Sequence, residues 1–229
     1  MVSFQRQAGR SLGEVLGIAA RPVRFCLSSG LPVADWLVAY PEAEFKRDAS
    51  PTWTDEDVRG LAATGRVRVI DLKALYGADA PEFALPDPAG LTRRVRDLAP
   101  DAVIEDPPLD DASRDVLAGE WHRVSFDAPV HHLDDILRLP RTGWMNIKPS
   151  RFATWRRLLE AVEHCAREGI AMYGGGQYEL GPGRPQIQEL AGLLYADGPN
   201  DVAPGDYNRP TVVGGLPTSP LVGVRGFGG

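Results

Sequence analysis

Four apolar runs of the sequence each end in a charged residue. The runs are Val67–Asp71, Ala102–Glu105, Val124–Asp127 and Trp144–Lys148, and each is typical of a short β-strand. They follow one another at steps close to the length of one strand plus one helix. The carboxyl ends of successive parallel strands meet at one end of a sheet. We therefore expect Asp71, Glu105, Asp127 and Lys148 to converge there.

These residue types suit metal-assisted proton transfer. Carboxylate oxygens are preferred ligands of hard divalent cations, so Asp71, Glu105 and Asp127 predict a Mg²⁺ or Mn²⁺ site. Without a cation, three converging carboxylates would repel one another, and some of their pKa values would rise. Lys148 beside them suits a general acid or base. The alternative is structural, with the acids in caps or turns and Lys148 in a salt bridge.

Strands and helices must alternate to bring these strand ends together. Strand candidates lie at 23–27, 43–48, 67–71, 101–105, 123–127, 144–148 and 170–174, with a weak eighth at 201–203. Helix candidates lie between them, at 33–40, 54–63, 91–98, 111–121, 133–139, 152–169 and 186–194. This alternation predicts an α/β fold, a (β/α)₈ TIM-type barrel in one domain. The first strand is not followed by a Gly-rich dinucleotide-binding motif, which argues against a Rossmann domain.

The chain divides into three parts by composition. We expect an N-terminal helical segment over residues 1–22, the barrel over 23–208, and a Gly- and Pro-rich tail over 209–229 that either wraps around the barrel or is disordered. The stretch 76–90 is also rich in Gly and Pro. It is too long for a tight connection, which is typical of a functional loop.

Composition narrows the classes of partner. The net charge of −6 argues against a nucleic-acid partner, because phosphate binding needs clustered Lys and Arg. No apolar run approaches the roughly 18 residues of a membrane span, and the N-terminus lacks a signal-peptide core. Cys26 and Cys165 have no metal-binding or redox spacing, which predicts buried thiols. We expect a cytoplasmic protein that acts on a small molecule.

The set of Asp71, Glu105-Asp-Pro107, Asp127 and Ile147-Lys-Pro-Ser-Arg151 resembles the barrel domain of the enolase superfamily. The most similar group contains o-succinylbenzoate synthase, muconate-lactonizing enzymes and related mandelate racemase-like proteins, and the resemblance runs from about residue 23 to about residue 204. It implies that Asp71, Glu105 and Asp127 hold Mg²⁺ and that Lys148 is the catalytic lysine of the sixth strand. The implied activity is that of a lyase or isomerase that removes a proton α to a carboxylate, through an enediolate held on the metal.

The second strand departs from the family pattern. It ends Lys-x-Lys in the family, and the second lysine is an acid/base catalyst, whereas this chain has Lys46-Arg47-Asp48. A direct register places Asp48 at the catalytic position and Lys46 at the supporting one. A slip of two residues makes Lys46 the catalyst, and both alternatives stay open. Alternation along a strand places Lys46 and Asp48 on one face in either case.

The family's N-terminal capping domain is the second departure, because only a short segment precedes the first strand. We expect that the cap was lost, that the frame begins late, or that the site is covered by the 76–90 loop or another chain. The partner would then be a separate cap domain or a second copy in a homo-oligomer. Two hypotheses follow: an enzyme acting on a small carboxylate, or a catalytically impaired, cap-less barrel that binds metal or a small acid or serves as a partner subunit.

Overall fold

A computed structural model describes residues 10–28, 30–76, 84–177, 179 and 181–227. Within them, seven parallel strands form one sheet, and each strand pairs with its neighbour in the sequence. The strands are β1 (Cys26–Leu27), β2 (Glu44–Asp48), β3 (Val67–Asp71), β4 (Val103–Glu105), β5 (Val124–Phe126), β6 (Trp144–Ile147) and β7 (Ala171–Gly174). The predicted α/β class with a parallel sheet is confirmed.

Helices connect the strands. They are α1 (Leu12–Leu16), α2 (Val33–Ala39), α3 (Asp55–Ala63), α4 (Pro88–Leu98), α5 (Asp111–Val116), α6 (Leu133–Arg138), α7 (Trp155–Arg167) and α8 (Gly183–Leu194). Helix α7 begins three residues later than predicted. The Thr154 side chain caps it by accepting a hydrogen bond from Arg157 N, and residues 149–151 form a separate 3₁₀ turn before it. None of the described helices is long and apolar enough to cross a membrane.

The predicted eighth strand at 201–203 is reduced to two isolated parallel bridges. Phe25 bridges to Asn200, and Gly175 bridges to Asp201. Cys26 N donates to Asn200 O over 2.7 Å, and Asp201 N donates to Gly174 O over 2.8 Å. A short segment therefore contacts both edges of the seven-stranded sheet. Between these bridges, the Asn200 side chain accepts the hydrogen bond of Gly174 N over 2.6 Å.

Alternate residues of the strands face opposite sides of the sheet. Ile70, Ile104 and Phe126 belong to the main core between sheet and helices, where burying each such side chain contributes about 1.5–3 kcal/mol. Val69 and Val103 lie in a separate small cluster with Tyr173. Asp71 and Glu105 follow Val69 and Val103 by two residues, so they share the inner face with that cluster.

The tail packs against the barrel as far as residue 227. Leu221 forms an antiparallel bridge with Val23, and Tyr40 Oη donates a hydrogen bond to Val213 O over 2.6 Å. The Phe227 ring lies 5.4 Å from the Trp155 ring. Of the two alternatives predicted for the tail, wrapping describes residues 209–227. Within the N-terminal helical segment predicted over residues 1–22, the described part contains the short helix α1, and residues 1–9 lie outside the described residues.

Candidate active site

Three buried carboxylates meet where β3 and β4 end. The register places Asp71 beside Glu105. Each of Asp71, Glu105 and Asp106 offers one carboxylate oxygen, and these oxygens all lie within 4.8 Å of one another. We call these three residues the carboxylate cluster. All three side chains are shielded from solvent.

Asp106 is a site residue that the sequence analysis did not select. Strand alternation predicts that residues 105 and 106 face opposite sides, but the φ of Asp106 is +45° and interrupts the alternation. Its carboxylate accepts hydrogen bonds from Asp127 N and Ala128 N, both over 2.8 Å. Burial raises the pKa of Asp106 well above its usual range, and the neighbouring carboxylates raise it further.

Asp127 lies one residue beyond β5 and is paired with cations. Lys148 Nζ is 2.7 Å from Asp127 Oδ2, and Arg151 Nη1 is 2.8 Å from Oδ1. Tyr76 Oη donates a hydrogen bond to Oδ2 over 3.2 Å. Burial opposes ionisation of Asp127, but the charges of Lys148, Lys46 and Arg151 outweigh it and hold its pKa below the usual value. The predicted role of Asp127 as a metal ligand stays a prediction.

Lys46 is buried between two members of the carboxylate cluster. Its Nζ lies 2.6 Å from Glu105 Oε1 and 3.5 Å from Asp71 Oδ2. Burial disfavours the ammonium, but these carboxylates outweigh it and raise the pKa of Lys46 well above its usual range. Burial also raises the pKa of Glu105 to about 7, against the charge of Lys46. Tyr173 Oη and Asn146 Nδ2 donate further hydrogen bonds to Glu105.

Lys73 joins the cluster to the end of β2, and sequence reasoning missed it. Its Nζ is 2.9 Å from Asp71 Oδ2 and 3.2 Å from Asp48 Oδ1. Burial opposes the charge of Lys73, but Asp71 and Asp48 outweigh it and raise the pKa of the ammonium. Its position two residues after Asp71 could have indicated it, because alternate residues of an extended chain lie on the same face. A left-handed backbone at Lys73, with φ of +53°, directs the side chain back onto the strand end.

A cavity of about 330 Å³ is lined by the three lysines that contact these buried carboxylates, while the buried carboxylates themselves are not part of the lining. The charged residues that line it are Lys46, Asp48, Lys73, Lys148, Arg151, Arg184 and Asp201. Cations outnumber acids in this lining, which favours an anionic ligand. Lys46 and Asp48 both reach the cavity, as strand alternation predicted, and the Asp48 side chain is 54% exposed.

Gly175 makes room for the catalytic candidate Lys148. A Cβ at this position would lie 2.7 Å from Lys148 Cε and 2.9 Å from Asn146 Oδ1. Any side chain would therefore displace Lys148 or Asn146. The glycine at position 175 is therefore explained by the packing of Lys148 and Asn146, and no bound ligand is needed to account for it.

The oxygen atoms of the carboxylate cluster are the type of ligand that a hard divalent cation prefers. Asp71, Glu105 and Asp106 offer only oxygens, and they are close enough to share one ion. The buried Asn146 Oδ1, beside Gly175, has no hydrogen-bond partner among the described residues and is a further oxygen donor near Glu105. The ammonium groups of Lys46 and Lys73 contact two of the same carboxylates, so they would compete with the ion.

Solved structures of enolase superfamily members share this fold. A member from Listeria innocua has a TM-score of 0.70 at 19% identity, covering 90% of this chain and 57% of that chain. A probable mandelate racemase from Alicyclobacillus acidocaldarius has a TM-score of 0.70 at 20% identity, covering 97% and 62%. A dipeptide epimerase from Methylococcus capsulatus, complexed with Mg and the dipeptide L-Arg-D-Lys, has a TM-score of 0.70 at 18% identity, covering 99% and 69%. At these identities the similarity shows a shared fold, which is the fold that the resemblance to the enolase superfamily implied.

Sequence comparison gives two further relationships. An N-succinylamino acid racemase from Amycolatopsis is 28% identical over 193 residues, which are 78% of this chain and 51% of that protein. The chain thus spans about half the length of this curated relative. The model of the C-terminal domain of DUF8230, described as a domain of unknown function, matches residues 19–209. Because this match covers most of the sequence, the chain belongs to the DUF8230 C-terminal domain family.

Proposed function

We propose that this chain carries a divalent-cation-dependent isomerase site that removes the proton α to a carboxylate. The observation that carries the proposal is the position of Lys148 in the cavity lining, two strands from the carboxylate cluster. The similarity to an N-succinylamino acid racemase and to a dipeptide epimerase complexed with Mg supports this class. Racemisation or epimerisation is favoured over lyase chemistry, and the specific reaction of o-succinylbenzoate synthase stays a prediction.

The cation, Mg²⁺ or Mn²⁺, would be held by Asp71 and Glu105 together with Asp106 or Asp127. When bound, it supplies positive charge against the negative charge that develops on the substrate carboxylate. Arg184, together with Arg151, lines the cavity and would orient an anionic substrate. Arg151 and Lys148 also hold Asp127 between them, which fixes the direction of the Lys148 side chain.

Lys148 is the proposed acid/base group on one side of the substrate. The opposite side is formed by the end of β2, where the sequence left Lys46 and Asp48 as alternatives. Lys46 is buried in an ion pair with Glu105, which favours electrostatic support of the cluster. Asp48 is half exposed at the cavity, which favours contact with substrate. We assign the second proton transfer to Asp48.

Deuterium incorporation tests the proposal. The protein is incubated with N-succinylamino acids and dipeptides in D₂O with Mg²⁺, and loss of the α-proton signal is followed by NMR. We expect exchange that Lys148→Ala abolishes, while its Mg²⁺ affinity by calorimetry stays close to that of the wild type. Glu105→Gln should destroy Mg²⁺ binding. The exposed Arg156→Ala is the control, and exchange that survives in Lys148→Ala would contradict the assignment.

A second candidate function is binding of a small acid or metal without turnover. The ion pairs of Lys46 and Lys73 with the carboxylate cluster favour it, since they neutralise acids that a metal would otherwise need to compensate. The same experiment separates the two functions. Carboxylates that bind by calorimetry but never exchange their α-proton would favour the binding function.

Partners and compartment remain proposals drawn from the sequence. A separate cap domain or a second copy of the chain would cover the cavity, and the stretch 77–83 of the predicted covering loop lies outside the described residues. Light scattering across a concentration series tests for the second copy. Cys26 and Cys165 are buried free thiols, as predicted, which supports the proposed reducing cytoplasm.

A further inference from the structure

Lysines are confined to the candidate active site. The sequence contains 25 lysine and arginine residues, and just three of them are lysines: Lys46, Lys73 and Lys148. All three line the cavity. Cations elsewhere in the sequence are arginines. The lysine ammonium is a compact charge at the end of a flexible side chain, whereas the arginine guanidinium is planar. The candidate active site contains three such ammonium groups. Lys46 and Lys148 have roles in the proposed function, but Lys73 has none.

Lys73 occupies the oxygens of Asp71 from two sides. The Lys73 backbone N–H donates to Asp71 Oδ1 over 2.9 Å, and its Nζ donates to Oδ2 over 2.9 Å. The left-handed backbone at Lys73 is uncommon for a residue with a side chain and makes this double contact. The ammonium also lies 5.1 Å from the centre of the Tyr76 ring. One carboxylate oxygen of Asp71 therefore contacts an ammonium of the chain itself, and the other accepts a backbone N–H.

Lys73 can leave Asp71 without losing an anionic partner. Its Nζ is already 3.2 Å from Asp48 Oδ1, which faces the cavity. Its side chain retains 15% exposure, whereas the Lys46 side chain retains 3%. Of the two ammonium groups that contact Asp71, Lys73 is thus the one with room to move.

We propose that Lys73 is a built-in counter-ion that competes with a divalent cation for Asp71 and so lowers the cation affinity of the carboxylate cluster. Binding of the cation shifts the Lys73 ammonium towards Asp48 and the cavity, where it adds positive charge for an anionic ligand. This inference rests on the cation site of the proposed function. It assigns to Lys73 control of cation affinity and no catalytic step.

Titration with Mg²⁺ and Mn²⁺ by calorimetry tests the inference without any substrate. Lys73→Met removes the charge and keeps an unbranched side chain of similar length, and we expect its cation affinity to exceed the wild-type value by about tenfold or more. Lys73→Arg keeps the charge and should bind within about threefold of the wild type. Arg156→Gln removes a cation outside the cavity whose side chain is 88% exposed, and should also stay within about threefold. Lys73→Asn is a second neutral variant, because Asn tolerates a positive φ better than Met.

Lysine-selective ¹³C labelling gives an independent readout, since the three lysines give three side-chain signals. The Lys73 signal, identified by its loss in Lys73→Met, should shift in the wild type when Mg²⁺ is added. Equal affinity of the wild type and both neutral variants would overturn the role of Lys73 and leave the cation site intact. Absence of binding in every protein would overturn both this inference and the cation requirement of the proposed function.

Discussion

Lys46 Nζ lies 2.6 Å from Glu105 Oε1, and both side chains are almost completely shielded from water. The pair connects β2 to β4 across the intervening β3. The same ammonium is 3.5 Å from Asp71 Oδ2 at the end of β3, so one charge contacts carboxylates from two further strands. A buried ammonium with two carboxylate neighbours is held in place by strong electrostatic interactions. We infer that Lys46 primarily stabilises the carboxylate cluster.

Lys46→Met should destabilise the protein by about 3–5 kcal/mol, because it leaves Glu105 and Asp71 as buried acids without this cation. The free energy of unfolding is measured by urea denaturation. Lys46→Met combined with Glu105→Gln should be more stable than Lys46→Met alone, since the second change removes the uncompensated charge. Strictly additive losses in the double variant would show that the two side chains do not interact.

Asp48→Asn should lower α-proton exchange by about 10²–10⁴-fold if Asp48 transfers a proton. Its side chain is half exposed, so the free energy of unfolding should change by no more than about 0.5 kcal/mol. Exchange is measured in D₂O with the substrate on which the wild type is most active. Asn208→Ala, an exposed residue of the cavity lining, is the control. Wild-type exchange in Asp48→Asn would show that Asp48 transfers no proton, and its role would then be the ion pair with Lys73.

The positions of the strand ends could be predicted from the sequence, because buried strands are apolar and a charged residue marks the point where each strand leaves the sheet. Asp71 and Glu105 are buried side by side, as their places at the ends of neighbouring parallel strands required. Lys148 lies beside Asp127, so the salt bridge that the sequence left as an alternative is present. That salt bridge is compatible with a catalytic role, since it orients the ammonium.

The residues that were missed depend on backbone geometry that periodicity does not encode. Asp106 has a positive φ angle, which directs its side chain to the face opposite the one that alternation predicts. Lys73 shares the face of Asp71, but it follows the end of β3, and its positive φ turns the chain so that its ammonium meets Asp71. The role of Gly175 arises from its distance to Lys148, and no local pattern reports a contact between two separate strand ends. At the weak eighth-strand candidate, Gly174 N donates to the Asn200 side chain, and two isolated parallel bridges stand in place of a continuous strand.

Glu44 should make stability depend on pH. It starts β2 and contacts Arg24 Nε over 2.6 Å and Arg68 Nε over 2.7 Å. Burial opposes its ionisation, but hydrogen bonds from Arg24 and Arg68 outweigh burial and lower its pKa in the folded state. Because the pKa of Glu44 is lower in the folded state than in the unfolded state, its ionisation stabilises the protein. The stabilisation is complete above the unfolded pKa of about 4.3, and it is lost as the pH falls through the folded pKa.

Glu44→Gln should therefore lower the free energy of unfolding by about 1–3 kcal/mol at pH 7. The difference from the wild type should shrink as the pH falls below about 4. Urea denaturation across a pH series measures both effects. Glu42→Gln is the matched control, because Glu42 also contacts an arginine but its side chain is 85% exposed. A difference for Glu44→Gln that is constant with pH would contradict the role of its charge.

Asn200 should be among the most sensitive polar positions outside the carboxylate cluster. Its Oδ1 accepts a hydrogen bond from Gly174 N over 2.6 Å, and its Nδ2 donates to Arg24 O over 2.8 Å and to Gly198 O over 2.9 Å. One buried amide thus connects the loop before it to the two edges of the seven-stranded sheet. The amide oxygen accepts a hydrogen bond and the amide nitrogen donates hydrogen bonds, so the amide cannot be flipped without losing them.

Asn200→Ala should cost about 2–4 kcal/mol, because Gly174 N and the carbonyl oxygens of Arg24 and Gly198 lose their hydrogen bonds to this buried side chain. Asn200→Asp should cost at least as much, since an acidic oxygen would face the carbonyls that Nδ2 now serves. Urea denaturation measures the loss, and hydrogen exchange at Cys26 N and Gly174 N reports whether the two edges open. If both amides keep wild-type protection in Asn200→Ala, the edges are held together by the remaining backbone bridges, and the side chain is dispensable.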